Sequence, residues 1–360
     1  MGGDSVRAHR VECQMLEPTV SASVDQIVHR LAGVQAQDLR WTSWTVGVRS
    51  RDCAAGDVAD GIENRHIVKS WLFRGTLHLV TRQDLLWMTD LVAPVIVKRN
   101  ARRYRQLGLD LEDFLEAERL LRGALSQASM LSRSQVRELF ERHGLSADGQ
   151  RLHYLLQRAS LDGVLCHGPE ADREATFVLR DAVVAHSLST QDRSVSIRRL
   201  AQRYFAGHGP AGKVDFVWWS GLPAAEVSAA VAELTDERAL VTAGPGQLYC
   251  VPGENIRVAP DSLNLLGPFD EYLVGYKDRA LVLDPAWTKI VNAGGGMIKP
   301  TVVYNGMVRG IWSYRDTRAA LVISVLPFED TPRLPSSGID AAVSRLSQFL
   351  GQTVRVEDSR

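Results

Sequence analysis

Apolar residues recur at helical spacing through much of the chain, and short β-rich runs interrupt that spacing at intervals. In "SVDQIVHRLAGVQAQ" (23–37), Ile27, Leu31 and Val34 share one face and predict a helix that closes in a polar cluster. "LRWTSWTVGVRS" and "AGDVADGIEN" predict two more helices, and "IVKSWLFRGTLHLV" (67–80) then predicts a β-rich stretch dense in Val, Leu, Trp and Phe. A weak repeat follows. "ELFERHG" (138–144) and "RYFAGHG" (203–209) each end a helical pattern in aromatic-x-x-His-Gly, with their glycines 65 residues apart and suited to helix C-caps. After the first come a helix in "GQRLHYLLQRASLDG" and two β-runs, "VLCH" and "TFVLR". After the second come "VDFVWWSGL", a helix in "PAAEVSAAVAEL", and the runs "ALVTA" and "LYCVP". Helix, turn, helix and β-hairpin in succession is the winged-helix plan.

The expected fold class is therefore mainly α with β-hairpins (α+β), built from three tandem winged-helix units. Residues 1–126 hold the first unit and a long helical connector over about 82–126; 127–192 and 193–256 hold the second and third. The remainder, 257–360, breaks the pattern as a C-terminal extension. There "NLLGPFDEYLVGYKDR" (264–279) reads as irregular and aromatic, and Asn305-Gly306 between β-rich runs predicts a type I′ hairpin turn. "IDAAVSRLSQFLG" predicts a closing helix that buries Ala341, Val343, Leu346 and Leu350.

Composition narrows the function classes. The chain is 45% hydrophobic with a net charge of zero, so any nucleic-acid role must rest on segregated charge. Cys13, Cys53, Cys166 and Cys250 are widely spaced with no CxxC pair, which reads as free thiols in a reducing compartment and not as a metal site. "MGGDSVRAHRVEC" has no apolar signal core, Val6 stands where a myristoylation signal wants Ser or Thr, and no apolar run is long enough to span a membrane. These features predict a cytoplasmic protein with no membrane partner and neither metal nor cofactor.

Four groups of residues carry candidate chemistry. In "KRNARRYR" (98–105), Lys98, Arg102 and Arg105 share a helical face and Arg99 and Arg103 another, either a phosphate-tracking stripe or a solvated surface. In "WLFRGTLHLV" (71–80), a continuous strand would aim Arg74, Thr76 and His78 one way and Trp71, Phe73, Leu77 and Leu79 the other. That polar row could line a pocket, although as an isolated pattern it reads first as the wet face of a half-buried strand. The Asn305-Gly306 tip, with Arg309 on the return strand, is a groove-inserting finger or merely a hairpin. Gln35 and Gln37 straddle Ala36 and on a helix would diverge by about 200°. Both serve one pocket only if the helix ends or kinks there. By spacing alone they read as an ordinary polar helix end.

"GVQAQD", "SWLFRGTLHLV", "LLGPFDEYLVGYKDR" and "PTVVYNGMVRGIW", in this order over about residues 15–325, together resemble the AlkZ/YcaQ-type winged-helix DNA glycosylases. The resemblance implies three winged-helix units in a C-shaped arrangement and a catalytic Gln-apolar-Gln motif at Gln35, Ala36 and Gln37. The other branch carries Asp at the last position; Asp38 falls one residue too late for that, which places the chain with the AlkZ-like branch. That branch implies an enzyme acting on double-stranded damaged DNA, excising cationic N7-alkylpurines, including bulky or crosslinking adducts of natural-product genotoxins in self-resistance. With no lysine nearer the motif in sequence than Lys69 to form a Schiff base, a monofunctional enzyme is expected, and three units in one chain need no partner, so a monomer is expected. Arg74, Thr76, His78, Lys98, Arg102, Arg105, Asn305, Gly306 and Arg309 would then contact DNA. The rival reading is a winged-helix transcriptional regulator without catalysis.

Overall fold

A computed structural model describes residues 2–17, 21–184, 192–244, 246–253, 261–294, 296–329 and 331–357. The chain forms two compact units, one of residues 1–58, 198–219 and 223–360 and the other of 59–197 and 220–222. Helices predominate and the strands are mostly short hairpins, in agreement with the expected class. No helix among the described residues is long and apolar enough to cross a membrane.

One order of elements occurs three times: helix, two-residue strand, helix, helix, hairpin. It runs Val24–Arg30, Val34–Gln35, Leu39–Gly47, Ala55–Glu63, Ile67–Trp71 and Leu77–Thr81. It recurs as Leu111–Leu125, Leu131–Ser132, Arg133–Arg142, Arg151–Leu161, Leu165–His167 and Thr176–Leu179. The third pass is Arg193–His208, Ala211–Gly212, Lys213–Ser220, Ala224–Asp236, Val241–Ala243 and Leu248–Cys250. In the last two passes the short strand pairs antiparallel with the final strand, Leu131 opposite Phe177 and Ala211 opposite Tyr249. That closes a three-stranded wing.

The structure shifts the repeat's register. "ELFERHG" ends the second helix of its pass, whereas "RYFAGHG" ends the first helix of the next. Only Gly144 takes the left-handed cap conformation; Gly209 instead precedes a cis peptide to Pro210. The true counterpart of Arg193–His208 is Leu111–Leu125. That segment is no tail of a continuous connector, because the helix Arg82–Gln106 stops and Asp110 starts a new one by accepting from the Asp113 N–H at 3.0 Å. Leu121, Phe140 and Leu155 then share one core.

The expected strand over 71–80 is also broken. Ile67–Trp71 and Leu77–Thr81 pair with each other, Trp71 opposite Leu77, around a tight turn at Phe73–Gly75. Arg74 has φ 56° and Gly75 φ 73°, a reversal no continuous strand accommodates.

The C-terminal part of the first unit is a five-stranded sheet. Leu263–Leu266, Thr301–Tyr304, Met307–Asp316 and Leu321–Pro327 run antiparallel, and Val354–Val356 joins the edge in parallel. The Asn305-Gly306 turn forms as expected, with φ 50° and 75° at the two residues, the conformation a type I′ turn requires. The closing helix, Ser336–Leu350, buries Ala342, Val343, Leu346 and Phe349 and leaves Ala341 exposed. Its inner face is rotated from the expected one because Phe349, the bulkiest apolar residue, seats its ring against Trp44 at 5.2 Å and over Gly47.

Candidate active site

The glutamine pair does not sit on a helix. Ser23 and Gln26 cap the start of Val24–Arg30 reciprocally, and the helix closes in a Schellman motif. The Gly33 N–H donates to the Val28 carbonyl and the Ala32 N–H to the His29 carbonyl, both at 3.0 Å. Ala32 (φ 57°) and Gly33 (φ 119°) turn the chain sharply, a conformation that suits glycine, and release it as an extended segment. Val34 and Ala36 are fully buried, Gln35 is 8% exposed in a two-residue strand, and Gln37 is open to solvent in the bend that follows. The helix thus ends before the pair, the condition under which both amides could serve one pocket.

The other polar residues of the cluster have structural duties. Asp38 caps the helix Leu39–Gly47. Arg40 makes a two-pronged ion pair with Asp316 at 2.8 and 3.1 Å. Trp41 is buried edge-on against Trp312 at 5.2 Å. The Thr42 hydroxyl shares its one proton between the Asp38 carbonyl at 2.7 Å and, more weakly, the Gln35 carbonyl at 3.2 Å. Among the described residues, the Gln37 side chain makes no hydrogen bond within the chain, so its amide is available to a substrate or water.

The sequence reading missed what lies behind Gln35. "FDEYLVGYKD", expected to be irregular, contains a four-residue helix, Glu271–Val274, whose acidic residues point inward. Glu271 is fully buried; one carboxylate oxygen accepts the Gln35 backbone N–H at 2.9 Å, and the other accepts the Trp219 indole N–H at 3.1 Å and lies 3.4 Å from His208 Nε2. Asp270 is gripped by Arg49 through both oxygens at 2.7 and 2.9 Å, and Arg49 also donates to Gln14. Gln14 in turn donates to the Glu271 carbonyl and to the Tyr276 hydroxyl, each at 3.2 Å. Burial pushes the Tyr272 and Tyr276 phenols above their usual range, which keeps both as neutral donors. Only a carboxylate pair in an otherwise apolar run, Asp270-Glu271, could have signalled this hub.

In the second unit, Lys98, Arg102 and Arg105 are all exposed on the helix Arg82–Gln106, as the spacing predicts. The row Arg74, Thr76, His78 is not formed. Arg74 lies half-buried at the tip of the 72–76 turn. Its carbonyl accepts from Arg99, and the Gly75 carbonyl accepts from Gln157 at 2.9 Å, with Asn100 donating to Gln157 at 2.8 Å. Thr76 folds its hydroxyl onto the Phe73 carbonyl at 3.0 Å. His78 is fully buried, edge-on to Phe73 at 5.2 Å, with Nδ1 3.1 Å from the Thr76 carbonyl oxygen. The expected DNA contact by His78 is therefore corrected: the ring braces the turn from inside.

The Asn305-Gly306 turn is likewise no free finger. Asn305 is exposed, but the Gly306 carbonyl accepts from the buried Tyr272 hydroxyl at 2.7 Å, and a side chain at 306 would lie 3.0 Å from Arg7 Cβ. Gly306 is docked against the helix Gly3–Cys13 and cannot enter a groove. Arg309 is half-buried in the return strand. A second hairpin, Asn292–Gly294 with Met297–Ile298, presents exposed residues instead, Met297 at 51%.

A family model described as "DNA glycosylase AlkZ-like" matches residues 28–349. The interstrand DNA cross-link repair glycosylase of Streptomyces sahachiroi is 26% identical over 96% of each chain. The solved structure of the Streptomyces sahachiroi DNA glycosylase AlkZ matches with a TM-score of 0.82 at 25% identity, over 98% of this chain and 99% of that one. These matches run the length of the molecule and concern glycosylases, which removes the rival reading as a regulator. With the glutamine motif inside the matched region and the fold shared throughout, the chain belongs to the AlkZ-like DNA glycosylase family.

Proposed function

We propose that the enzyme hydrolyses the N-glycosidic bond of N7-alkylpurines in double-stranded DNA, with water as nucleophile and Gln35 and Gln37 as the catalytic pair. The observation that carries this reading is the early helix end, which frees the motif from helical geometry and leaves the Gln37 amide open to solvent two residues beyond a nearly buried Gln35. Alkylation at N7 leaves the purine cationic. As the C1′–N9 bond breaks, its electron pair neutralises that charge, so departure needs no general acid. The water oxygen bonds to C1′ and its proton passes to solvent.

What remains for the protein is to place one water and to tolerate positive charge building on the sugar. An amide carbonyl accepts from that water while its N–H₂ donates to sugar or phosphate oxygens. Positioning of this kind contributes about 3 kcal/mol per group, near two orders of magnitude in rate. An amide is a poor base, so uncharged, undamaged purines should stay intact. The matched relative is named for interstrand crosslink repair, which supports bulky or crosslinking adducts as substrates and a self-resistance role. A monomer suffices for this chemistry.

Lys98, Arg102 and Arg105 track the phosphate backbone by charge alone, and Arg74 joins them from its pinned turn. The groove-probing role expected of Asn305-Gly306 passes to the hairpin around 292–298, whose exposed Met297 is an apolar wedge of the kind that parts base steps. The lysine nearest in sequence to the motif, Lys69, is ion-paired with Glu170 at 3.3 Å, which supports a monofunctional enzyme without a Schiff base.

The test is DNA bearing a defined N7-alkylguanine. Base release should leave abasic sites that break only on added alkali or heat, and Gln35→Ala and Gln37→Ala should abolish most of it. Binding without base release, or strand cleavage without alkali, would overturn the reading.

A further inference from the structure

Glu271 is remote from the glutamine motif in sequence, yet its fully buried carboxylate meets the Gln35 main chain directly. A buried carboxylate is stable only where its oxygens are well supplied with donors. Here one oxygen takes the Gln35 N–H, and the other is held from behind by Trp219 and faces His208. The Thr42 hydroxyl, shared with the Asp38 carbonyl, also reaches the Gln35 carbonyl at 3.2 Å. The carboxylate cannot drift, because the adjacent Asp270 is locked by Arg49 and the Glu271 carbonyl by Gln14.

We propose that Glu271 is a positioning residue that sets where the Gln35 amide stands, with Thr42 as the second half of the clamp. The inference rests on Gln35 acting in base release. Catalytic groups must be held to about half an ångström, and a displacement of about 1 Å costs on the order of a hundredfold in rate. A one-residue hydrogen bond from a rigid hub meets that need, where a two-residue strand has little stiffness of its own.

The test uses the whole protein and measures single-turnover base release, lesion-DNA Kd and thermal melting side by side. In Glu271→Gln the amide has one acceptor oxygen for donors on two sides, so its N–H₂ must confront either Gln35 or Trp219. Base release should fall about tenfold to a hundredfold, with Kd within about twofold and cooperative melting retained. Adding Trp219→Phe removes the competing donor and lets the amide oxygen return to Gln35; the rate should recover severalfold over Glu271→Gln alone. Thr42→Val, which leaves the hub untouched, should lower the rate with the same unchanged Kd. If Glu271→Gln does not melt cooperatively, Thr42→Val and the double variant decide. An active wild type with inactive Gln35→Ala, but wild-type rates in Glu271→Gln and Thr42→Val, would overturn the positioning role alone. So would a Glu271→Gln loss that Trp219→Phe fails to rescue. A wild type that releases no base would remove the glycosylase reading first and this inference with it.

Discussion

The two compact units use polar side chains in opposite ways. In the first, the two carboxylates behind Gln35 are buried and supplied with donors, Glu271 by backbone and ring N–H groups and Asp270 by Arg49. In the second, Lys98, Arg102 and Arg105 stand in solvent on one helix face. The difference matches what each proposed task would require. Steering one water would demand fixed geometry, which a buried hydrogen-bonded network supplies. Neutralising phosphates would demand exposed charge that can adapt.

That contrast can be broken at several points. The largest effect should come from Asp270→Asn, which leaves the Arg49 guanidinium buried without its counter-charge. Stability should fall by about 3–5 kcal/mol, read as the midpoint of urea unfolding. A loss within about 0.5 kcal/mol would mean the hub is not the frame described.

Next comes Gln37→Ala, which removes an exposed amide with no hydrogen-bond partner among the described residues. It should lower single-turnover base release about a hundredfold, near 3 kcal/mol, while leaving the melting temperature in place. A stability loss with an unchanged rate would reverse the assignment.

Smaller again is the joint change of Lys98, Arg102 and Arg105 to Ala. Lesion-DNA affinity should drop about tenfold or more. The slope of log K against log salt should flatten by about 0.9 for each phosphate no longer neutralised, with the bound-state rate preserved. Should the salt slope stay as it was, the stripe is only a wet surface.

Near neutrality the smallest effect lies in the core of the second unit. Burial, aided by the Lys69 and Arg133 charges, pushes the His167 imidazole down to about 3. The folded state holds this ring neutral, so its contribution is complete above the unfolded value of about 6.5 and is lost as pH falls from there toward 3. His167→Phe should flatten the acid limb of stability against pH. An unaltered limb would show that the ring is not what acid titrates.

Much of the fold was legible because winged-helix units are local. Periodicity placed most helices, and Asn-Gly placed the turn at 305–306. The repeat's register was harder to read, since aromatic-x-x-His-Gly closes any amphipathic helix, whichever position it holds. The candidate site was legible only in part. Gln35 and Gln37 were found by likeness to a family, while the helix end before them stayed undecided because apolar spacing runs on past Arg30 and conceals a cap in which Ala32 takes the left-handed role. Arg74 and His78 were misplaced because a tight hairpin and a strand share the same alternation until the turn is seen. Glu271 was marked locally only as half of a carboxylate pair in an apolar run. Its partner lies 236 residues away, and the pair alone does not say which backbone it meets.

The cap that ends the helix ahead of the glutamines has a consequence for how this stretch can vary. Gly33, at φ 119°, holds a conformation that an L side chain adopts only under strain. Ala36 is sealed from solvent, so only a small apolar residue fits there. Drift on the outer face of the preceding helix should leave the proposed pair in place, whereas a bulky residue at 33 would reroute the backbone that carries it.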